Sequence, residues 1–504
     1  MAFETNDFSV AKKYLLGKGE FNVECNVNAG DNIGSILLLS ASASAQNYEA
    51  LNGVLNFSGT IDLKIVYLNL EGEINTICFS CPFSSKFESE SILNGQNAAI
   101  SVKVIDYSIL NVNGDNLKIE VMIAQSGYVL CNNQVKTIDS NSDDVCTKNE
   151  DMSVLKFVAT GKEVFDVECQ MNIRDKIKKI ILTESSVLVR NVENGVNFVT
   201  ISGDVSTKVA YINENDKFDY STQIETFKEE IEIEGVTRDS FIEGKAYVKQ
   251  EDVKAEVVED EKGCSLVVKS PVCTEICAYE NETLSVVKDL YSTKSEIGVT
   301  TQSFAMSTIN SVQIVENKID GSVTLGDDKP RIDKILFYGG SSVVLTNNYI
   351  NDGQLTLEGI ARTNVVYLND EDNKWYSVQL DIPFSIKDKT SFEGDGTLWT
   401  DIILTDVDVS VKKGRELLFD GKIKANVNYF TDVTNAVISD VSQGEIYEEK
   451  DYAMEVLFGH TGDELWDIAK SAKVKEEQVL AQNPDVVFPL SEDSSLILFY
   501  QKNN

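Results

Sequence analysis

The residues that could carry out chemistry are few in this chain of 504 residues, and no spacing brings them together. His460 is the single histidine, so Ser-His-Asp and Cys-His arrangements have one available base, which lies far in sequence from the last cysteine, Cys277. The 81 acidic residues could supply a carboxylate pair of the glycosidase type, but nothing places two of them together. No P-loop or G-x-G-x-x-G fingerprint is apparent. We expect a protein that is not an enzyme and needs no cofactor.

The cysteines offer one arrangement that could bind a metal. Cys78 and Cys81 form a C-x-x-C pair, and Cys273 and Cys277 form a C-x-x-x-C pair, which together could give four thiolates to zinc. Cys78 lies in a strand-like segment without the glycine turn of a zinc ribbon, so buried, inert thiols are the better interpretation. Nine thinly spread cysteines also indicate reduced thiols and not a disulfide scaffold. We expect no metal site.

The balance of charge excludes several classes of partner. With 81 acidic and 45 basic residues, the net charge of −36 would repel phosphate backbones and anionic lipid headgroups. The first residues, MAFETNDFSVAKKYLLGKGEF, contain no continuous apolar segment of a signal peptide, and no apolar run is long enough to cross a bilayer. We therefore expect no nucleic-acid partner, no signal peptide, no membrane insertion and a location in the cytosol.

An internal repeat organises most of the chain. The string FNVEC that starts at Phe21 recurs as FDVEC at Phe165, an offset of 144 residues without a gap. A third copy follows the second at a shift of 156 residues, with Phe384 one residue later. Three sets of positions recur in all copies: Gly59, Gly203 and Gly359; Tyr67, Tyr211 and Tyr367; and Phe83, Phe227 and Phe384. Because 504 residues exceed one ordinary core, three domains of similar fold are the simplest interpretation.

Each copy contains a glycine followed by strict alternation of apolar and polar residues. In the first copy Ile61, Leu63, Ile65 and Tyr67 alternate with other residues, which predicts a half-buried strand, and turn signals and a second strand follow. We therefore expect the repeated tyrosines and phenylalanines to be core residues. Each copy should be an antiparallel β domain of the sandwich type, over residues 1–132, 151–300 and 301–448, with a linker at 133–150.

The last fifty residues follow a different period. A strand around Met454 and Val456 precedes Thr461 and Glu464, which have the spacing of a capping box and predict a helix start. One apolar stripe follows, formed by Leu465, Ile468, Ala469 and Ala472. A second helix should end before Pro484, and Leu496 and Leu498 alternate as a closing strand. Residues 451–500 should form a small strand-helix-helix-strand module.

The string GDELWDIAKSAKVKEEQVLAQNP resembles LysM modules, through Gly462, Asp463, Leu465, Trp466, Ile468, Ala469, Asn483 and Pro484. Two features depart from the family: Glu464 replaces the usual threonine, and Ser491-Glu492-Asp493 replaces the usual Pro-Gly-Gln turn. The resemblance implies that Trp466 and Ile468 are structural. It also implies a partner-binding or glycan-binding site on two loops, formed by Gly462, Asp463, Glu464, Leu465, Asn483, Pro484, Asp485 and Val486.

The three upstream copies look like SPOCS domains, and SPOCS copies followed by LysM resemble the SipL-like spore coat morphogenetic proteins of clostridia. This implies a non-enzymatic coat scaffold in the mother-cell cytoplasm, at the forespore surface and in the spore coat. The implied partners are a SpoIVA-type coat ATPase and other coat proteins, and homo-oligomerisation stays open. The alternative is a cell-wall or cortex-associated protein that binds peptidoglycan through N-acetylglucosamine. The changed Gly-Asp-Thr motif favours protein docking over glycan binding.

Overall fold

The computed structural model describes residues 4–139, 143–173, 175–260, 263–369, 371–392, 394–448 and 453–500. The expectation of a mainly β chain with antiparallel sheets is confirmed. The first copy contains β1 (Glu4–Asn28), β2 (Ile33–Leu51), β3 (Val54–Asn69), β4 (Ile74–Glu88), β5 (Asn97–Asn113) and β6 (Asn116–Asp139). The second contains β7 (Val145–Ile173), β8 (Ile177–Asn194), β9 (Phe198–Asn213), β10 (Phe218–Glu232), β11 (Phe241–Val248), β12 (Lys254–Asp260) and β13 (Gly263–Ser292).

The remaining elements belong to the third copy and the C-terminal module. The third copy contains β14 (Ser295–Thr324), β15 (Lys334–Asn351), β16 (Gln354–Asn369), β17 (Lys374–Lys389), β18 (Thr397–Lys412) and β19 (Glu416–Ile446). The module contains β20 (Met454–Gly459), α1 (Leu465–Ala472), α2 (Glu476–Gln482) and β21 (Ser494–Phe499).

Each copy is built from two antiparallel sheets with the same strand order. In the first copy the sheets are β1-β6-β5 and β2-β3-β4, and in the third they are β14-β19-β18 and β15-β16-β17. In the second copy β13 pairs with β7, and the strand equivalent to β5 is divided into β11 and β12 around a short 3-10 turn at Gln250–Asp252. Side chains from both sheets form one apolar cluster in the first copy and one in the third, so those copies have sandwich-like cores.

The repeated glycine and phenylalanine are cross-strand partners. Gly59 lies opposite Phe83 in the register of β3 and β4, and a Cβ added at Gly59 would lie 2.7 Å from the phenylalanine ring. The equivalent pairs are Gly203 with Phe227 and Gly359 with Phe384, where the distances would be 2.9 and 2.6 Å. The ring covers the bare backbone of the glycine, which is why the two residue types recur together.

The alternating strand is buried on both faces. Tyr67, Tyr211 and Tyr367 are buried, and Tyr67 and Tyr367 belong to the cores of their own copies. The preceding residues, Val66, Ala210 and Val366, lie on the opposite face and pack together in a cluster to which all three copies contribute. Repetition of the strand therefore gives both a core within each copy and a contact between copies.

The first and last strands of each copy are long and pair beyond the sandwich. Val135 of β6 lies opposite Phe8 of β1, and Cys146 of β7 lies opposite Tyr291 of β13. Residues 133–139 and 145–150 of the expected linker are therefore strand, while 140–142 lie outside the described residues. The polar residues of this segment alternate with buried ones such as Val135, which a composition-based interpretation does not detect. The boundary expected after residue 300 likewise falls inside β14.

Three of these paired extensions meet around one buried lysine. Tyr128, Tyr279 and Phe430, at a constant spacing of 151 residues and one from each copy, surround the Lys13 ammonium at 4.8, 4.4 and 3.7 Å from their ring centroids. Lys13 also donates hydrogen bonds of 2.7 and 2.8 Å to the Glu243 carboxylate of the second copy. Burial lowers the pKa of Lys13, and Glu243 opposes that shift. We call these five residues the Lys13 site.

Candidate functional site

The C-terminal module has its own core. β20 and β21 pair antiparallel, and Trp466, Ile468, Val479, Leu496 and Leu498 are buried together. The apolar stripe predicted for the first helix therefore lies on α1 and packs into this core. The order strand, helix, helix, strand is the one expected. The alternation of Tyr452 with Met454 and Val456 predicts that Tyr452 also belongs to the first strand, but it lies outside the described residues.

The start of α1 differs from the capping-box prediction, which is wrong. Glu464 is the residue that precedes the helix, and no side chain caps it. The Thr461 backbone N–H and hydroxyl both donate to the Asp493 carboxylate, at 2.9 and 3.3 Å. Asp493 belongs to the changed turn before β21, so Thr461 joins this turn to the loop before α1 and does not cap the helix.

The first predicted binding loop is held by contacts within the module. Gly462 adopts φ +95°, a conformation that favours glycine, and its N–H donates to the Leu490 carbonyl at 2.7 Å. The Asp463 carboxylate accepts the His460 N–H at 2.8 Å, while the Asp463 carbonyl accepts the Leu490 N–H at 3.0 Å. Gly462 and Asp463 therefore join the first loop to the segment before β21.

Glu464 contacts a different part of the molecule. Its carboxylate lies 2.5 Å from the Lys148 ammonium of β7, in the second copy. The hydrogen bond that the Lys148 ammonium donates to Glu464 raises the pKa of Lys148. Both side chains are about half-exposed, so solvent screens the pair. The residue that replaces the usual threonine is thus already paired with a lysine of the same chain.

The second predicted loop begins with an asparagine whose side-chain amide makes three hydrogen bonds within the module. The Asn483 amide nitrogen donates to the Val479 and Ile497 carbonyls at 3.0 Å each, and its oxygen accepts the Ile497 N–H at 2.9 Å. Asn483 therefore ties the end of α2 to β21 and is buried. Pro484 and Asp485 are exposed. Leu465 of the first loop and Val486 of the second pack against the module core.

Trp466 belongs both to the core and to a contact with the second copy. It is 5% exposed, its indole N–H donates to the Asp289 carboxylate at 2.8 Å, and its ring packs edge-on against Tyr291 at 5.0 Å. The Tyr291 hydroxyl donates to the Val474 carbonyl at 2.7 Å. The module thus packs against the paired ends of β7 and β13, although it follows the third copy in sequence.

Asp289 is the charged centre of this contact. Lys470 of α1 donates to both of its carboxylate oxygens at 2.6 Å. Burial alone would raise the pKa of Asp289, but the hydrogen bonds from Lys470 and Trp466 outweigh it and lower the pKa. Lys148, Asp289 and Tyr291 are the contact residues that the sequence interpretation missed. They lie in the second copy and carry no local pattern that distinguishes them from other strand residues.

The cysteine pairs do not converge. Cys78 is exposed and Cys81 is buried, because residues three apart on one strand point to opposite faces. In the part of the chain that the structure describes, no group of three or more histidine, cysteine or acidic residues could hold a metal ion. Over the same residues, no helix has the length and apolar character needed to span a membrane.

Comparison with known proteins gave no match to a family model, to a curated protein or to a solved structure. Of the eight predicted loop residues, Gly462, Asp463 and Asn483 are held by bonds within the module and Glu464 pairs with the second copy.

Proposed function

We propose that this chain is a non-enzymatic scaffold of the spore coat that docks onto a SpoIVA-type coat ATPase, in part through its C-terminal module. The observation that supports protein docking over sugar binding is that polar side chains of the module's two loops already have partners within the chain. The Asn483 amide makes three hydrogen bonds to backbone groups, and Glu464 is paired with Lys148. Two polar side chains of these loops, Asn483 and Glu464, therefore already have partners within the chain.

The arrangement of the three copies fits a scaffold. The copies share buried clusters and the Lys13 site, so they present their surfaces as one body. Similar surfaces repeated three times favour avidity over a single concave site. The net charge of −36 favours basic partner surfaces and predicts that binding weakens with salt. In this proposal the protein acts at the forespore surface, on the mother-cell side, and becomes part of the coat.

Removal of the module tests the proposal. A fluorescent fusion that lacks residues 451–504 should lose its recruitment to the forespore surface in sporulating cells, and the purified protein should no longer bind the purified coat ATPase. A full-length fusion with Lys86→Ala is the matched control, because Lys86 is an exposed residue of the first copy. Unchanged recruitment and unchanged binding of the truncated protein would remove the module from the proposal.

Glycan binding is the second candidate, and the exposure of Pro484 and Asp485 in the second loop favours it. A sedimentation assay with purified peptidoglycan separates the two functions. We expect little retention of the full chain. Strong retention that Glu464→Ala or Asp485→Ala abolishes would favour the glycan function over protein docking.

A further inference from the structure

The small sheet of the module has one buried and one exposed apolar face. Leu496 and Leu498 point inward and are fully buried. On the other face lie five apolar residues that are 40% to 76% exposed, Phe458 the most. They are Met454, Val456, Phe458, Ile497 and Phe499. Met454 lies opposite Phe499 and Val456 opposite Ile497, and directly opposed residues share a face. We call these five residues the outer face.

The edge of β21 is already covered by side-chain amides. Asn483 bonds to both the N–H and the carbonyl of Ile497. Gln482 does the same for Phe499, accepting its N–H at 2.5 Å and donating to its carbonyl at 3.2 Å. These two amides take the place of a neighbouring strand, so no further strand can pair at Ile497 and Phe499.

The same bonds show which way the backbone of β20 points. Because the polar groups of Ile497 and Phe499 point away from β20, their partners Val456 and Met454 form non-hydrogen-bonded pairs with them. The N–H and carbonyl groups of Met454, Val456 and, by alternation, Phe458 therefore point to the free edge. Within the described residues these groups have no hydrogen-bond partner.

We propose that the free edge of β20 binds an extended segment of a partner protein as a third strand, with alternate apolar side chains on the outer face and lysine or arginine at its flanks. Strand addition satisfies the free backbone groups, and the outer face provides apolar contact. The inference rests on the proposed docking function, because it names the surface of the module that would do the docking.

Charge decides the kind of occupant. Residues 453–500 contain nine aspartate and glutamate residues against three lysines. A second copy of this chain would bring an equally acidic module to the edge and be repelled, whereas a basic segment would be attracted. The two features together, an open edge and an apolar face in an acidic module, specify a basic-flanked strand.

Val456→Pro is the decisive variant. The Val456 N–H is not used by β21, so proline removes an outward donor while the pairing of β20 with β21 is kept, as proline allows on an edge strand. The probe is a short synthetic peptide that alternates valine and threonine between terminal lysines, labelled for fluorescence anisotropy. We expect the full-length chain to bind it and Val456→Pro to weaken binding about tenfold.

Val456→Thr is the matched control, because it keeps the donor and the β-branched shape, and it should bind much as the unchanged chain does. A peptide flanked by glutamate should not bind. If Val456→Pro lowers the temperature at which the module unfolds, Phe458→Ser is used in its place. Phe458→Ser removes apolar area from the outer face without altering the backbone, so it should also weaken binding of the peptide.

Three results would overturn the inference: no binding of the lysine-flanked peptide, equal binding by Val456→Pro or by its substitute Phe458→Ser, or equal binding of the glutamate-flanked peptide. A dimer of the chain alone that Val456→Pro dissociates in sedimentation would also overturn it, in favour of a second copy as occupant. Binding of the coat ATPase is measured separately. Its absence contradicts the proposed function, whereas peptide binding alone decides the role of the edge.

Discussion

Two lysine–carboxylate ion pairs join separate regions of this molecule, and they differ in how far their side chains are exposed to solvent. Lys13 and Glu243, at the junction of the three copies, have side chains that are 4% and 12% exposed. Lys470 and Asp289, between the module and the second copy, are 42% and 36% exposed. A buried pair cannot lose one partner without leaving an unpaired charge away from water, whereas a half-exposed pair can be hydrated. The three copies should therefore behave as one body, and the module should be separable from it.

Among the substitutions that test this difference, Lys13→Ala should cause the largest loss of unfolding free energy. The substitution leaves the buried Glu243 carboxylate without its cation, with the Tyr128 and Tyr279 hydroxyls still donating to it, and removes the cation from three aromatic rings. The loss of unfolding free energy should be about 3 to 5 kcal/mol. Urea denaturation followed by circular dichroism measures it. Lys86→Ala, which breaks only an exposed ion pair with Glu88, should change stability by less than about 0.5 kcal/mol. Equal effects of the two substitutions would show that the junction is not held by the Lys13 site.

Asp289→Ala should loosen the module without unfolding it. The change removes the acceptor of the Trp466 indole and the partner of Lys470, at a cost of about 2 kcal/mol to docking. Hydrogen exchange should increase at the end of β13 and in α1, while β21 keeps its protection. Lys148→Ala breaks only the exposed pair with Glu464 and should leave both regions unchanged. Loss of protection in β21 as well would mean that the module depends on the second copy to fold.

The pattern that can be read along one strand predicted the β copies and the order of elements in the module. The recurrence of Gly59 with Phe83 marked a real cross-strand pair, since the two residues meet in the register of one hairpin. The surface of the second copy against which the module packs was not predictable, because Asp289 and Tyr291 approach Trp466 only in the folded chain. The linker expected at 133–150 is strand for a similar reason: its two described parts pair with β1 and with β13, which are distant in sequence.

The capping-box prediction is wrong because the helix begins at Leu465, with Glu464 and not Thr461 at the capping position. Thr461 lies before the helix and donates its N–H and hydroxyl to Asp493, some thirty residues later. Local spacing gives a preference that a tertiary contact can override. The same limit applies to the predicted loop residues, since Asn483 and Glu464 are engaged by groups that the motif does not contain.

The smallest predicted effect on stability comes from Asp62, at the contact between the first and second copies. This effect depends on pH. Asp62 of β3 is half-buried. Burial raises the pKa of Asp62 to about 6, Glu251 and Asp252 of the second copy add to the shift, and the Ser80 hydroxyl, at 2.9 Å, opposes it. The folded chain thus holds this proton more tightly than the unfolded chain. The stabilisation is complete below the unfolded pKa of about 4 and is lost as pH rises through about 6.

Asp62→Asn should remove this dependence, because the amide stays neutral at every pH. At pH 8 the variant should unfold at higher urea than the unchanged chain, by about 1 kcal/mol once solvent screening of a half-buried group is allowed for. At pH 4, where Asp62 is protonated in the folded chain, the gain should vanish. Asp7→Asn is the control, since Asp7 is an exposed acid of the same copy. A gain at pH 8 that persists unchanged at pH 4 would place its origin in packing and not in the proton of Asp62.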